Sequence, residues 1–233
     1  MTQRPKRGPD SAADTRHARK RSSSLTRERV LDAAIHLVDQ HGWRTLTMRR
    51  LGHELDVEAM ALYRHVADRD DLLDGIVDRI VDTMDDDPQV LTTPEHGWQD
   101  FLERLAHGFR RVALTHPSIF PILVSRPPQA PWLRPPMRSL RWVEIFLDGL
   151  ISEGFGDREA VAAYRTFTSF LLGYLLLEAA VHADEGQHEP TGGRDELASF
   201  PHLEHLQGEL AKNESEREFA EGLAHIMERI RRS

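Results

Sequence analysis

Residues 46–73, LTMRRLGHELDVEAMALYRHVADRDDLL, are the stretch of sequence that decides the fold. They predict two short helices joined by a tight turn and followed by the start of a third helix. Thr47 is the predicted N-cap of the first short helix, because its hydroxyl can accept a hydrogen bond from a free helix amide while Leu46 and Leu51 pack together. Asp56 is expected to end this helix, since aspartate tolerates the left-handed backbone of a sharp turn.

The second short helix has an inward and an outward side. Its inward residues are predicted to be Val57, Leu62 and Val66, whereas its outward ones are Glu58, Ala59, Met60, Tyr63 and Arg64. A short helix, a tight turn and a second short helix form the arrangement that places the second helix in the major groove of DNA. The stretch therefore predicts a helix-turn-helix domain.

The same residues resemble the DNA-binding domain of the tetracycline-repressor (TetR) family. The resemblance rests on L-T-M-R-x-L at 46–51, L-Y-x-H-V at 62–66, and Leu72 with Leu73 after a polar helix N-terminus. This chain carries Asp56 where many members carry glycine, and Gly52 where many carry alanine. The resemblance implies a DNA-binding transcriptional regulator.

The resemblance also implies which side chains contact DNA. Tyr63 and His65 match positions that hold the DNA backbone, and Arg49 matches a position able to reach a base edge, where a guanidinium fits guanine. Thr47 and Arg69 would add phosphate contacts. The alternatives are that Tyr63 packs against the first helix and that the arginines are solvated surface residues. The complete predicted set is Thr47, Arg49, Arg50, Glu58, Ala59, Met60, Tyr63, Arg64, His65 and Arg69.

Composition limits the possible classes of protein. With 233 residues, 39% of them hydrophobic, the chain is expected to fold as one small and one larger domain. It has no cysteine, which excludes disulfides and thiolate metal sites. A net charge of −8 argues against a protein that coats nucleic acid indiscriminately, so any DNA contact is expected to be local. No signal peptide is visible, and the expected location is the cytoplasm.

Changes in composition predict three parts of the chain. Residues 1–23 are basic and rich in Pro, Gly and Ser, which predicts a disordered arm that either clamps DNA or has no role. Residues 24–85 are the predicted helix-turn-helix domain, and residues 93–233 are the predicted ligand-binding and dimerisation domain. The apolar segment 170–181 is shorter than the roughly 20 residues of a membrane span and is expected to be a buried helix.

Helical periodicity continues along the chain, and the predicted fold class is all-α. Thr26 and Asp68 are expected to cap long helices of the first domain. In the second domain, Thr93 with Pro94 should start a helix, and Asn213 with Glu216 should form a capping box. Further helices are predicted to end at Gly154, to run from Asp157 to about Val181, and to start at Ser199, with a mobile loop over residues 183–199.

The larger domain resembles the C-terminal domain of the tetracycline repressors. The matching runs are Gly97–Leu102 (GWQDFL), Phe109-Arg110 and Ser125-Arg126-Pro127. This resemblance implies a ligand pocket between helices. The asparagine and two histidines that hold the drug and its magnesium fall on Leu105, Ile122 and Asp85, so a tetracycline–magnesium chelate is not the expected ligand.

An apolar pocket with a few polar anchors, His116, Arg126 and Glu178, would fit a hydrophobic or aromatic ligand. The alternatives are that the aromatic residues fill the core and that Arg126 is a hinge contact. The predicted pocket residues are Leu105, Phe109, His116, Phe120, Ile122, Arg126, Trp142, Phe167, Tyr174 and Glu178.

No spacing typical of a metal site, cofactor motif or catalytic group is present, so none of these is predicted. The predicted protein is a repressor that binds a palindromic operator as a homodimer and is released by a small molecule. The dimer surface is expected on the helices at 157–181 and 213–230, and ligand binding is expected to tilt the helix at 68–84. The alternatives are a helical interaction protein with a non-functional helix-turn-helix and an enzyme on a helical bundle.

Overall fold

The computed structural model describes residues 25–126, 130–184 and 199–230, and all regular structure in these ranges is helical. The predicted basic arm and nearly all of the predicted mobile loop lie outside these ranges. The described helices are α1 Arg27–His41, α2 Met48–Glu54, α3 Ala59–Leu62, α4 Arg69–Asp82, α5 Trp98–Thr115, α6 Phe120–Ser125, α7 Leu140–Ser152, α8 Asp157–Asp184, α9 Pro201–Leu210 and α10 Ser215–Arg229. The all-α prediction is confirmed.

Helix α1 supports the first domain. It begins where predicted, because the Thr26 hydroxyl accepts a hydrogen bond from Arg29 N at 3.3 Å. Its apolar side, which includes Val30, Ala34 and Val38, is fully buried. The chain leaves α1 through Gly42 with a φ of 75°, a left-handed conformation that glycine adopts without a steric cost.

Helix α4 joins the two domains. Asp68 caps it as predicted, since its Oδ1 accepts a hydrogen bond from Asp71 N at 2.8 Å. Its buried residues, including Leu72, Ile76 and Ile80, belong to the same continuous core as the C-terminal helices. Helix α4 packs against α1 on one side and α6 on the other. Movement of α4 therefore affects both domains.

Helix α8 forms the centre of the C-terminal domain and packs against α5, α6, α7 and α10. By length and composition alone, residues 157–183 could cross a membrane, since their mean hydropathy is 1.4. The helix is thus longer than the apolar segment from which burial was predicted. Phe167, Leu171 and Leu175 on its inner side are nevertheless buried, as expected for a core helix.

Three predicted helix starts need correction. Helix α5 begins at Trp98 after Gly97, whose φ is 92°, and not at Thr93 with Pro94. Helix α9 begins at Pro201 rather than Ser199. Asn213 does not form a capping box, because its Oδ1 instead accepts from Ser215 N at 3.3 Å and closes a local turn.

Part of the C-terminal domain exposes apolar side chains. Within the described residues, α9 has no buried residue, and its Leu203, Leu206 and Leu210 are exposed. On α8, Leu177 and Val181 are exposed as well. Clustered exposed leucines on neighbouring helices are typical of a surface that another protein surface covers.

Gly149 allows α5 and α7 to pack closely. A Cβ at this position would lie 2.5 Å from Cε1 of Phe101, whose ring is fully buried. We expect Gly149→Ala to lower the free energy of unfolding by about 1–3 kcal/mol, because the core must shift to admit the methyl group. Chemical denaturation followed by circular dichroism measures this change.

Gly208→Ala is the matched control, since a Cβ there meets nothing within 4 Å and alanine favours a helix. It should leave stability unchanged or raise it by up to about 1 kcal/mol. Equal effects of the two substitutions would contradict the close packing at Gly149.

Candidate DNA-binding surface and its connection to the C-terminal domain

The helix-turn-helix forms at the predicted residues. The Thr47 hydroxyl accepts a hydrogen bond from Arg50 N at 3.2 Å, and Leu46 and Leu51 are buried beside it. Asp56 has a φ of 56°, which is the left-handed conformation predicted for the turn. The N-cap and the turn residue are thus confirmed.

Gly52 brings α2 and α3 to backbone contact. Its carbonyl accepts a hydrogen bond from Val57 N at 2.9 Å. A Cβ on residue 52 would lie 2.8 Å from the Val57 carbonyl oxygen and 3.2 Å from Ala59 N. Because both neighbours are backbone atoms, no side-chain movement can make room. Gly52, at a position where many resembling sequences carry alanine, therefore determines how closely the two helices approach.

The outward residues of the second helix reach solvent as expected. Met60 is 72% exposed and Tyr63 is 45% exposed, so Tyr63 does not pack into the core. Leu62 and Val66 are buried as predicted, whereas Val57 is only half-buried. Helix α3 is shorter than predicted and ends at Leu62. The later predicted contact residues therefore lie in the turn that follows the helix; they are Tyr63, Arg64 and His65.

The remaining predicted DNA contacts lie around this second helix. Thr47 and Arg49 are exposed at the start of α2, and Arg50 is half-buried. Glu58 is exposed and Ala59 is half-buried at the start of α3. Arg69 is the exposed first residue of α4.

The arginines of this surface differ from those elsewhere in their charge partners. Arg49, Arg50, Arg64 and Arg69 form no ion pair with any other described residue. Most described arginines outside this surface are bound to carboxylates, as in Arg110 with Glu178. Unneutralised guanidinium groups are what binding to DNA phosphates requires. Positive charge is thus available locally on a chain that is acidic overall.

A hydrogen-bonded node holds the end of residues 57–66, which we call the recognition segment. Arg27 donates to the His65 carbonyl at 2.8 Å and to both oxygens of Asp71, the closer at 2.7 Å. Asp71 Oδ2 also accepts from Ala67 N at 2.7 Å. These bonds from Arg27, and then the Ala67 amide, lower the pKa of Asp71. The node ties α1, α4 and the segment after α3 together.

A second set of carboxylates on α4 binds arginines of the C-terminal domain. Arg126 donates to Asp74 at 2.7 Å and to Asp70 at 2.9 Å. Arg138 contacts Asp74 at 3.2 Å and Asp78 at 3.0 Å. We call these five residues the α4 ladder, because the three aspartates are spaced four residues apart and so share one side of the helix.

Two neighbouring acidic residues extend the charge of this region. Asp85 pairs with Arg141 at the start of α7. Burial, together with the nearby carboxylates of Asp85 and Asp78, raises the pKa of Asp82. Charge in this region thus depends on arginines supplied by the C-terminal domain.

The three expected polar anchors of the ligand pocket need correction, because the structure does not bring them together. Arg126 belongs to the α4 ladder, which is the hinge alternative. His116 Nδ1 lies 2.8 Å from an Asp39 carboxylate oxygen of α1. Glu178 is buried and bound by Arg110, with Nη2 to Oε1 at 2.7 Å. Each group is already used in an internal contact.

The apolar pocket residues also separate into two places. Leu105, Phe120, Ile122, Trp142 and Phe167 are buried in the core. Phe109 lines a narrow crevice of about 10 Å³, roughly the space of one water. Its other lining residues are Val81, Leu123, Val124, Arg126, Pro136, Met137, Arg138, Ser139 and Leu172. Tyr174 and Glu178 instead line an open surface groove of about 530 Å³ between α8 and the start of α10.

Trp142 carries a polar atom that the sequence did not single out. Its ring lies edge-on to Phe109 at 6.3 Å between centroids, and only 2% of the residue is exposed. Its Nε1 has no hydrogen-bond partner in the described structure. An unsatisfied buried donor is costly, and a ligand acceptor or a water would satisfy it.

Two family descriptions match this chain. Residues 30–76 match "Bacterial regulatory proteins, tetR family", and residues 91–233 match "Tetracyclin repressor-like, C-terminal domain". An HTH-type transcriptional regulator of Saccharopolyspora erythraea is 30% identical over 190 residues, which cover 80% of this chain and 71% of that protein. The class D tetracycline repressor protein of Escherichia coli is 28% identical, with 87% and 88% of the two chains covered.

The fold is also similar to solved structures. The TetR family protein ActR of Streptomyces coelicolor, in complex with (S)-DNPA, has a TM-score of 0.65 and 29% identity, covering 88% of this chain and 96% of that chain. The helix-turn-helix and the helical domain joined to it define a DNA-binding transcriptional regulator rather than an enzyme. In particular, the chain belongs to the TetR family.

The node at Asp71 yields a pH-dependent prediction. We expect Asp71→Asn to lower the free energy of unfolding by about 1 kcal/mol at pH 7, because it weakens a bidentate ion pair and a bond to a backbone amide. Since the folded pKa of Asp71 lies below its ordinary value of 3.8, this stabilisation is present above that value and is lost as the pH falls through the folded pKa. Denaturation at pH 7 and pH 3 should show the difference shrinking.

Asp157→Asn is the control. Asp157 also lies in the first turn of a helix and is exposed, but it makes no ion pair with another described residue. Its substitution should change stability by only a few tenths of a kcal/mol, from the helix dipole. A pH-independent effect of Asp71→Asn would count against the node.

Proposed function

We propose that this protein is a cytoplasmic repressor that binds a palindromic operator as a homodimer and is released when a hydrophobic small molecule enters the C-terminal domain. The proposal depends mainly on the exposed helix-turn-helix surface, whose arginines form no ion pair with a described carboxylate. Helix α4 joins this surface to a second helical domain that matches a ligand-responsive repressor family. The proposed domain bounds are residues 24–85 and 93–233.

The proposed DNA contacts divide into two kinds. Arg49 reads a base edge, because a guanidinium can bond guanine O6 and N7 together. Tyr63, His65, Thr47 and Arg69 hold phosphates and set the register of the protein on the duplex. Met60 and Ala59 make apolar contacts with thymine methyl groups. Arg50, Glu58 and Arg64 complete the predicted surface.

The proposed dimer places two recognition segments about one turn of DNA apart, roughly 34–36 Å. The exposed apolar side chains of α8 and α9 support it, because a monomer would leave Leu177, Val181 and Leu210 in water. Helix α10 lies beside α8, so both helices can pair with their copies as a four-helix bundle. Such a pairing is isologous and closes on itself.

The proposed effector site is the crevice beside Phe109, enlarged towards Trp142. Most of its lining residues are apolar, and the Trp142 N–H has no hydrogen-bond partner among the described residues. We therefore infer an aromatic or otherwise hydrophobic ligand that presents a hydrogen-bond acceptor. The positions that hold the drug and its magnesium in the resembling repressors do not suit a chelate here, since Leu105 is apolar and buried and Asp85 is paired with Arg141.

Ligand entry and helix movement are linked in this proposal. The crevice holds only about 10 Å³, so a ligand must move at least one of its walls. Val81 of α4 is one wall, and two arginines of the α4 ladder, Arg126 and Arg138, are others. A ligand that binds the enlarged crevice therefore favours a different position of α4. The ratio of its affinities for the enlarged and the narrow form sets how far operator binding is weakened.

The operator prediction tests the proposal directly. In vitro selection from random duplexes should yield inverted repeats. Arg49→Ala should weaken binding to the selected site by about 1–3 kcal/mol and relax the preference at one base position of each half-site. Fluorescence anisotropy with the selected site and single-base variants measures both effects.

Arg104→Ala is the matched control for that experiment. Arg104 lies on α5 and pairs with Asp100, outside both the helix-turn-helix and the helices of the proposed dimer surface, so its loss should leave the base preference unchanged. Failure to enrich any duplex at low salt would favour the helical interaction protein with a non-functional helix-turn-helix.

The ligand prediction uses Trp142. In a thermal-shift screen of aromatic carbonyl compounds, a compound that raises Tm should also lower the affinity of the protein for its operator. Operator DNA should in turn lower the affinity of the protein for the compound by the same factor. Trp142→Phe should weaken that compound about tenfold, because it removes one buried hydrogen bond of about 1.4 kcal/mol.

Trp132→Phe is the control, since Trp132 is 78% exposed and does not line the crevice. Equal losses of ligand affinity in the two variants would remove Trp142 from the site. A stabilising compound with no effect on the operator complex would contradict its role as effector.

A further inference from the structure

Trp43 is a large aromatic residue on the surface of the DNA-binding domain. It lies in the 3-10 turn Trp43–Thr45 between α1 and α2 and is 38% exposed. The turn is closed by hydrogen bonds from Thr45 N and Thr45 Oγ1 to the Gly42 carbonyl, at 3.2 and 2.9 Å. The backbone that carries the indole is therefore held in place, although the ring is not part of the core.

Two guanidinium groups meet at this ring. The Cζ of Arg44 lies 5.7 Å from the ring centroid, and the Cζ of Arg69 lies 5.9 Å from it. Arg69 comes from the start of α4, so one indole collects cations from two separate elements. Cation–π contacts of this kind hold a guanidinium in place while leaving its N–H groups available.

Neither cation is neutralised within the described part of the chain. Arg44 and Arg69 are both exposed, and neither makes an ion pair with a described carboxylate. The nearest acidic residue in sequence to Arg69 on its N-terminal side is Asp68, but its Oδ1 caps α4 by accepting from Asp71 N. Two like charges gathered at one ring repel each other, and an anion bound between them would remove that repulsion.

We propose that Trp43, Arg44 and Arg69 form a phosphate clamp that binds the backbone of the operator beside the base-reading surface. Arg44 and Arg69 bind a phosphate directly, and Trp43 is the positioning residue that holds them together. The clamp rests on the proposed operator binding. It adds two residues, Trp43 and Arg44, that the helix-turn-helix pattern does not mark.

DNA is the occupant that the surroundings favour. Three residues beyond Arg44 is Thr47, the N-cap of α2, and four residues before Arg69 is His65; both are among the predicted backbone contacts. A backbone contact carries no sequence information. The clamp should therefore strengthen binding to operator and mixed-sequence duplexes alike.

A salt series tests the clamp. Binding of the dimer to the selected operator and to a mixed-sequence duplex is measured from 50 to 300 mM salt, roughly the range in which counterion release dominates. Removing one phosphate contact from each subunit should reduce the slope of log K against log salt by about 1.8, and Arg44→Gln or Arg69→Gln should each do so on both duplexes. Arg104→Gln, the charge-matched control on α5, should keep the wild-type slope.

Substitutions of Trp43 separate positioning from charge. Trp43→Leu keeps both arginines and should weaken binding roughly three- to tenfold, whereas Trp43→Phe keeps an aromatic ring and should restore most of the loss. Thermal denaturation of each variant shows whether the domain is still folded. A folded Trp43→Leu variant that binds like the wild type would overturn the positioning role.

Two further outcomes distinguish the possible failures. If wild-type protein binds its operator but Arg44→Gln and Arg104→Gln give equal slopes, the clamp is wrong and operator binding stands. If the wild type binds no duplex, operator binding itself fails. Inorganic phosphate at a concentration tenfold lower than the salt, about 5–30 mM, should not displace the DNA. If phosphate does displace it from the wild type but not from Arg44→Gln, the arginines form a site for free phosphate instead of a backbone clamp.

Discussion

Arg126 and Arg138 each bridge two carboxylates on α4, and Asp74 is shared between them. Such partly exposed ion pairs contribute little individually, roughly 0–1 kcal/mol. Their effect on geometry is larger, because four contacts along one side of a helix fix both its rotation about its axis and its position along that axis. The angle of α4 relative to the C-terminal domain follows from this constraint, and the recognition segment follows from the angle of α4.

Asp70 and Asp71 are neighbours in sequence that serve different domains. Asp70 faces Arg126 of the C-terminal domain, whereas Asp71 faces Arg27 of α1 and the segment after α3. A helix directs successive side chains about 100° apart, so one turn can be bonded on two sides. Any displacement of α4 that breaks the contact at Asp70 also moves the carboxylate that holds the recognition segment.

The sequence predicted most of what depends on local structure. Thr26, Thr47 and Asp68 cap their helices as expected, because a cap requires only a side chain and an amide three residues away. Asp56 adopts the turn conformation for an equally local reason.

Contacts between distant segments could not be predicted in the same way. Periodicity marks Arg126 and Glu178 as unusual residues but does not choose their partners, which lie 52 to 68 positions away. For this reason the predicted polar anchors do not meet in one pocket, because each is bound to a different partner. Trp43 was missed because a lone surface indole has no helical period, and only the folded chain brings Arg69 beside it.

The absence of a side chain at Gly52 limits how freely this domain can be rebuilt. Designers often exchange recognition segments between related regulators to change the bound sequence. Here the carbonyl of residue 57 occupies the space that a methyl group on residue 52 would need, at 2.8 Å. A transplant of residues 57–66 alone into a scaffold with alanine at that place would force the two helices apart, so the supporting helix and the reading segment must be exchanged as a single cassette.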